Sequence, residues 1–193
     1  MTMSAPLRKS ETATADDPVA PVCALLAELL SREIDEPLLS LLRLPEVRSV
    51  IETVAPETGA LPGAKWDAAR FEEHSVEFCR LFIYPGICAP RAEHWAKDFE
   101  EEQFSVRRWF DNEGAQPAFT PRIEELPDTH IAKILVVRAG LAGASEELVA
   151  DFEAQMIRPW AASFASALEQ QSQLPIYTAA AAIVGALAET QPC

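Results

Sequence analysis

The chain has 193 residues, which is enough for one domain with a sizeable hydrophobic core. Hydrophobic residues make up 49% of it, and 16 basic residues against 30 acidic ones give a formal net charge of −14. Because nucleic acid and anionic membrane surfaces repel so acidic a chain, we expect no nucleic-acid partner and no membrane insertion. A basic partner would instead be attracted.

Residues 1–17 are rich in Ser, Thr, Ala and Asp, which predicts a disordered tail ahead of one domain over residues 18–193. No apolar run follows Arg8-Lys9, so we do not expect the tail to be a secretory or twin-arginine signal. The longest apolar run, residues 179–188, is too short to span a bilayer. Scattered cysteines suit a reducing compartment, so we expect a cytoplasmic protein.

Prolines predict where the first helices begin. Asp17-Pro18 and Glu36-Pro37 are typical helix starts, with an acid before a proline of the first turn. Leucines at three- and four-residue intervals follow each start, so each of these helices should have one apolar face. Pro45 is expected to kink the second helix or to split it in two.

The chain is organised around an amphipathic helix that we expect from about Lys65 to Tyr84. Its apolar face consists of Phe71, Phe78, Leu81 and Phe82, and its polar side of Glu72, Glu73 and Glu77. Pro85-Gly86 then ends the helix, because proline cannot donate the next ladder hydrogen bond and glycine tolerates a left-handed turn. The aromatic residues are either core residues or a surface for a partner, and periodicity alone favours the core.

The second half of the chain predicts more helices. A helical spacing runs from Trp95 to Phe110, and an extended, proline-rich loop is expected over residues 116–127. The expected helix caps and starts are Asp128 or Thr129, then Ser145, then Pro175. Pro159 should bend the long helix that begins after Ser145. Since no segment predicts a convincing strand, the pattern indicates an all-α, single-domain bundle of about eight helices.

The sequence contains no motif of a serine hydrolase, a phosphate-binding loop, a dinucleotide site or a zinc protease. Its four cysteines and three histidines have no zinc-like spacing. His74 and His94 lie in helical surroundings rich in glutamate, so we expect both to be exposed. These observations predict a protein that is not an enzyme and that holds no cofactor or metal of its own.

A cluster of polar residues lies in the proline-rich loop and at the helix start after it. Its members are Glu124, Glu125, Pro127, Asp128 and His130. Acids with a histidine in a loop can accept hydrogen bonds from Arg or Lys of a basic ligand. Alternatively, Asp128 caps the helix and the histidine is solvated, and the sequence leaves both interpretations open.

Four segments resemble the TorD/DmsD family of redox-enzyme maturation chaperones, which includes NarJ-like relatives. Residues 77–86, Glu-Phe-Cys-Arg-Leu-Phe-Ile-Tyr-Pro-Gly, resemble its Glu-aromatic-x-x-Leu-Phe-x-Gly-Pro motif. Residues 126–131 look like its second motif, a Pro-x-Asp-His segment that opens a helix. Residues 89–95 resemble a degraded Pro-Pro-Tyr-Glu-Ser loop, and residues 157–160 are similar to its late Leu-x-Pro-Trp helix. Order and spacing agree over roughly residues 64–189.

The resemblance implies an all-helical chaperone that binds the apo form of a molybdopterin-containing oxidoreductase until its cofactors are inserted. Such chaperones bind the client's twin-arginine leader, its body, or both. A leader of this kind is basic and then apolar, so it needs acids beside an apolar groove. The residues that the resemblance and the cluster assign to client binding are Phe78, Leu81, Phe82, Tyr84, Pro85, Gly86, Pro90, Glu93, Trp95, Glu124, Glu125, Pro127, Asp128 and His130. Phe82, which ends the central helix, is expected to be partly exposed in the groove.

Three positions depart from the family pattern. Tyr84 stands where the family usually has glycine, and Thr129 stands where it has the Asp before His130. Lys133 replaces a common Glu. The acid is shifted to Asp128 and Lys133 adds a base, so the usual way of binding a leader is in question. One alternative is a client that has no twin-arginine leader of its own. The family's nitrate-reductase-like and dimethylsulfide- or ethylbenzene-dehydrogenase-like branches show such variety.

Two other functions compete with the chaperone. One is a general helical adaptor with no cofactor link. The other is a small enzyme that uses a nucleotide, against which the missing phosphate loop argues. Both a monomer and a dimer that exchanges helices are compatible with a helical bundle. A molybdopterin oxidoreductase gene beside this gene would favour the chaperone.

We predict that the purified protein holds no stoichiometric zinc, iron or molybdenum, because no Cys/His set in the sequence has the spacing of a metal site. Elemental analysis of the purified chain measures this directly. One equivalent of any of these metals would contradict the prediction.

Overall fold

In a computed structural model, the structure describes residues 17–54, 56, 66–83, 85–97, 106 and 119–189. These residues form helices and contain no strand, which confirms the all-α prediction. The α-helices are α1 (Val19–Ser31), α2 (Glu36–Leu42), α3 (Pro45–Val54), α4 (Ala68–Phe82), α5 (Pro121–Glu125), α6 (Ile131–Gly140), α7 (Glu146–Phe152), α8 (Arg158–Gln171) and α9 (Pro175–Glu189). A 3₁₀ turn covers Ala92–His94 and a π-helical turn covers Glu153–Ile157. The predicted tail over residues 1–17 lies, apart from Asp17, outside the described residues.

Short polar side chains start several helices, as the sequence predicted. The Asp17 carboxylate accepts a hydrogen bond from the Val19 N–H at 3.0 Å, and Ser145 caps α7 through the Leu148 N–H at 3.3 Å. Asp35, one residue before the predicted start at Glu36-Pro37, does the same for α2, where it accepts from the Leu38 N–H at 2.9 Å. Each cap satisfies one of the free N–H groups of a first turn. Pro45 begins α3, so the predicted second helix is split in two.

The helix contains a π-helical turn just before Pro159, where the sequence predicts a bend. α7, the turn Glu153–Ile157 and α8 follow one another without a break. Proline has no N–H for the ladder and its ring clashes with the preceding turn, so the helix widens just before Pro159. With α7 and α8 counted as one bent helix, the described residues contain eight helices, which agrees with the predicted number.

Two predicted boundaries are wrong. The expected extended loop over residues 116–127 contains a short helix, α5, because Pro121 is favoured in a first helical turn. The cap of α6 is His130 and not Asp128 or Thr129, since its ring nitrogen Nδ1 accepts from the Ala132 N–H at 3.1 Å. Most of the helical stretch predicted between Trp95 and Phe110 lies outside the described residues.

The core is built mainly where α1 packs on α6 and where α8 packs on α9. Its largest side chains are Trp160, Tyr177, Phe152 and Phe164, all fully buried. Trp160 and Phe164 meet edge to face with ring centroids 6.1 Å apart. This contact and its complete burial make Trp160 a core residue.

The end of α4 belongs to the same core. Phe82 is only 5% exposed, and its ring contacts Tyr177 of α9 at 5.5 Å between centroids. Phe78 and Leu81 are buried as well. The expectation that Phe82 is partly exposed in a client groove is therefore wrong, because its ring is buried against Tyr177 of α9.

Glu77 was predicted on the polar side of α4, but its side chain is buried. Its carboxylate accepts two hydrogen bonds from Arg80, at 2.7 and 2.8 Å, and one from the Gln173 N–H at 2.6 Å. Burial alone would raise the pKa of Glu77, but these donors outweigh it and hold the pKa below its usual range. Glu77 and Arg80 therefore join α4 to the turn between α8 and α9.

We predict that Phe82→Ala and Trp160→Ala each lower the free energy of unfolding by about 3–5 kcal/mol, as large-to-small changes in a packed core do. Val76 of α4 is the matched control, because its side chain is 62% exposed and Val76→Ala should cost less than about 0.5 kcal/mol. Urea denaturation of the three variants measures these costs. A Phe82→Ala variant as stable as Val76→Ala would contradict the burial of Phe82.

Candidate functional site

The chain reverses direction sharply after α4. The Cys88 N–H donates to the Leu81 carbonyl at 2.8 Å, which holds the turn against the end of the helix. A Cβ atom on Gly86 would lie 2.6 Å from the Leu81 carbonyl oxygen, so only glycine fits there. Pro85 is exposed in the turn, and Tyr84 lies outside the described residues. The motif-like segment after Phe82 thus acts as a tight turn that directs the following loop.

That loop pairs with the segment before α6. Arg91 and His130 form an isolated antiparallel bridge. The Ala92 N–H donates to the Thr129 carbonyl at 2.9 Å, and the Ile131 N–H donates to the Pro90 carbonyl at 2.8 Å. The bridge places two segments side by side that are far apart in the sequence. We call Pro90, Arg91, Glu93, Thr129 and His130 the bridge site.

The bridge site contains two buried polar atoms that have no hydrogen-bond partner in the described part of the chain. Glu93 forms an ion pair with Arg91 through Oε1. Its other oxygen, Oε2, is buried and has no hydrogen-bond partner among the described residues, and the same holds for Oγ1 of Thr129. A buried polar atom left unpaired costs about 1–3 kcal/mol. Both atoms keep an unused capacity to accept a hydrogen bond.

His130 is held neutral inside the bridge site. Its Nδ1 accepts the hydrogen bond that caps α6, so the ring proton lies on Nε2. Burial, together with the positive charges of Arg91 and Lys133, lowers the pKa of His130 to about 4. At neutral pH this histidine therefore shapes the site as an uncharged group.

Lys133 holds the loop between α5 and α6 through hydrogen bonds from its buried side chain. Its side chain is buried, and Nζ donates to the carbonyls of Glu124 and Leu126 and to the Asp128 carboxylate at 3.1, 2.9 and 3.0 Å. The ammonium group also lies 5.3 Å from the centroid of the Phe119 ring, within cation–π range. Lys133, which stands where the family pattern has Glu, thus forms an ion pair with Asp128. It gives that loop a fixed shape.

Trp95 joins the bridge site to the core. Its indole N–H donates to the Ala89 carbonyl at 2.8 Å, and its ring meets Phe164 of α8 at 5.6 Å between centroids. The side chain is half-buried. Trp95 therefore holds the loop of residues 89–95 against the bundle.

The structure divides the residues predicted for client binding into three groups. Phe78, Leu81 and Phe82 lie in the core, whereas Pro90, Glu93 and His130 meet at the bridge site with Trp95 behind them. The remaining described residues lie in the turn after α4 or around the loop between α5 and α6, namely Pro85, Gly86, Glu124, Glu125, Pro127 and Asp128. Glu124, Glu125 and Pro127 are exposed.

Sequence reasoning did not select Arg91 as a site residue. The available signal was an arginine two positions before Glu93, whose opposite charge forms an ion pair with it at the start of the 3₁₀ turn. Thr129 was noted only as a departure from the family pattern. Its unpaired hydroxyl follows from burial at the bridge, for which the sequence carries no signal.

The expectations for the two other histidines had different outcomes. His94 is exposed, as predicted. His74 is buried, with its Nδ1 2.9 Å from the Arg70 carbonyl oxygen and its ring 4.0 Å from that of Trp66. Burial lowers the pKa of His74. The expectation that His74 is exposed is therefore wrong, because Trp66 covers it.

In the described part of the chain, no group of three or more His, Cys, Asp or Glu side chains could hold a metal ion. None of the helices there is long and apolar enough to cross a bilayer. A comparison with models of known protein families found no match for this chain, and neither did a comparison with curated proteins.

We predict that His130 makes stability fall as the solution is acidified from pH 7.5 to 4.5. The pKa of His130 is about 4 in the folded protein and about 6.5 in the unfolded chain, so the unfolded state binds more protons in this window. Between pH 7.5 and 4.5, the free energy of unfolding should fall by about 2–3 kcal/mol more in the wild-type protein than in His130→Asn. The asparagine keeps a capping side chain but does not titrate. Urea denaturation at several pH values measures the difference. Equal losses in the two proteins would contradict a buried, neutral His130.

Proposed function

We propose that this protein is a cytoplasmic maturation chaperone that binds the apo form of a molybdopterin-containing oxidoreductase. The single observation that carries the proposal is the bridge between Arg91 and His130. It brings the segment that resembles the family's Pro-Pro-Tyr-Glu-Ser loop next to the one that resembles its Pro-x-Asp-His motif. The sequence gives only the order of these two segments along the chain, whereas the bridge holds them side by side.

The unpaired atoms of the bridge site suit a cationic segment of the client. A guanidinium group presents several N–H donors in one plane, and Glu93 Oε2 and Thr129 Oγ1 are acceptors in need of donors. A hydrogen bond between charged groups is stronger than one between neutral groups. Leader recognition at Glu93 would therefore compensate for an energetic deficit that is present in the free protein.

Acidic residues near the bridge site add long-range electrostatic attraction for a basic client. Glu124 and Glu125 are exposed on α5, close in sequence to the bridge site, and the whole chain carries a net charge of −14. Charges of this kind mainly raise the rate of encounter with a basic client, and salt screens them. Slow release requires apolar contact as well.

The apolar contact comes from residues other than Phe82. Ile83 and Ile87, in the turn after α4, have side chains 53% and 46% exposed. They lie in the segment that leads into the bridge site. A leader that is basic and then apolar can place its basic residues at Glu93 and its apolar residues against these isoleucines.

The test is surface plasmon resonance with an immobilised synthetic peptide that has two adjacent arginines followed by an apolar run. We predict that Glu93→Gln weakens binding about tenfold or more, because a hydrogen bond to a charged group contributes about 1.5–3 kcal/mol. Glu169→Gln, which removes an exposed acid from α8, is the matched control and should leave the affinity unchanged. Raised salt should slow association, and Ile87→Ser should speed dissociation.

Three outcomes would contradict this mechanism. If Glu93→Gln binds like Glu169→Gln, the bridge site does not bind the leader. If a basic peptide of scrambled sequence binds as tightly as the leader-like peptide, the general helical adaptor is favoured over the chaperone. Binding of the apo catalytic subunit without binding of the peptide would mean that the client's body is recognised.

A further inference from the structure

A second surface lies between α4 and the segment that follows α1. It is an open groove of about 460 Å³. Its apolar lining is formed by Ile34, Phe71 and Val76, and Cys79 lies beside them. Val76 is 62% exposed although valine is apolar. Val76 therefore offers a place where an apolar side chain of another segment can pack beside Phe71.

The charge at the groove is negative. Glu33 and Glu72 line it and are both exposed, and no Lys or Arg is among the described residues that line it. The Glu33 carboxylate accepts a hydrogen bond from the Ser75 hydroxyl, and the Cys79 thiol lies 3.9 Å from its other oxygen. Neither of these neighbours carries a positive charge. The groove therefore suits a segment that combines apolar side chains with cations.

We propose that the first ten residues of this same chain occupy the groove. Within them Leu7 is followed directly by Arg8 and Lys9. Met1, Met3, Ala5 and Leu7 alternate with other residues, so in an extended chain they share one face. The apolar face covers Phe71 and Val76, and the cations pair with Glu33 and Glu72. This proposal does not depend on the proposed function.

The segment is long enough to reach the groove. Asp17 is held at the start of α1 by an ion pair with Arg138 at 2.6 Å. α1 has 13 residues and is therefore about 20 Å long, and Glu33 follows its last residue by two positions. The eight residues from Lys9 to Asp17 span up to about 27 Å when extended. The cations can thus run back along α1 to Glu33 while Asp17 stays in place.

An intramolecular contact of this kind needs little intrinsic affinity. A short tether gives the segment an effective concentration in the millimolar range at the groove. Salt would weaken the contact because both acids are exposed.

The reactivity of the Cys79 thiol can show whether the groove is covered, because Cys79 lines the groove and is exposed. Cys23 and Cys88 are buried, and burial raises their thiol pKa to about 12 and about 11, so they react slowly. In a Cys193→Ser background, the rate of Cys79 alkylation by iodoacetamide would be measured for the full chain. The same rate would be measured for the chain without residues 1–15 and for the full-length variant Arg8→Glu/Lys9→Glu.

We predict that deletion and charge reversal each speed alkylation of Cys79 about tenfold at low salt, in line with the loss of a tethered segment. The matched control, Arg8→Lys/Lys9→Arg, exchanges the two cations and should keep the protection. Reversal of both acids, Glu33→Lys/Glu72→Lys, should also remove protection, and its combination with Arg8→Glu/Lys9→Glu should restore it. Circular dichroism shows whether each variant remains folded.

Other results would overturn the proposal. An equal rate of alkylation in the full chain and in the charge-reversed, folded variant would mean that the cations do not hold the segment in the groove. Protection that disappears on dilution of the full chain would mean that a second copy covers the groove. Protection that persists at all protein concentrations, and that follows the charges of residues 8 and 9, supports the intramolecular contact.

Discussion

The rest of the bundle depends on the buried carboxylate of Glu77. It accepts hydrogen bonds from Arg80 on its own helix and from the Gln173 N–H in the turn between α8 and α9. Arg80 also donates to the Gln171 carbonyl at 2.5 Å. Because a buried carboxylate without donors is costly, α4 is held where these donors meet it. The position of α4 in turn sets the turn at Gly86 and the loop that reaches the bridge site.

Glu77 and Glu93 show two uses of the same side chain. The carboxylate of Glu77 has donors on both oxygens, so it stabilises the fold. Glu93 has its partner Arg91 on one oxygen and no partner among the described residues on the other. A satisfied buried acid holds elements together, whereas a partly satisfied one can gain by binding a donor. This contrast supports a structural role for the first motif-like segment and a binding role for the loop after it.

The bridge site and the groove on α4 share an electrostatic character but differ in what they can hold. Both carry exposed or partly exposed acids in a chain of net charge −14, so both attract cations over a distance. The bridge site offers directed hydrogen-bond acceptors on a fixed backbone. The groove offers apolar area and few fixed acceptors, so it suits a tethered segment whose high effective concentration compensates for weak contacts.

The sequence by itself determined the helices, because helix signals act between near neighbours. Ser145 caps α7 and Pro159 distorts the helix that runs from α7 into α8 through interactions that span only a few residues, and both effects could be predicted. The tertiary structure alone decided which apolar faces are covered, so periodicity on α4 could not show that α9 buries Phe82. It also decided the site, since the bridge of Arg91 to His130 joins distant segments through backbone hydrogen bonds. Backbone groups are the same in every residue, so a pairing between them leaves no pattern in the side chains from which it could be predicted.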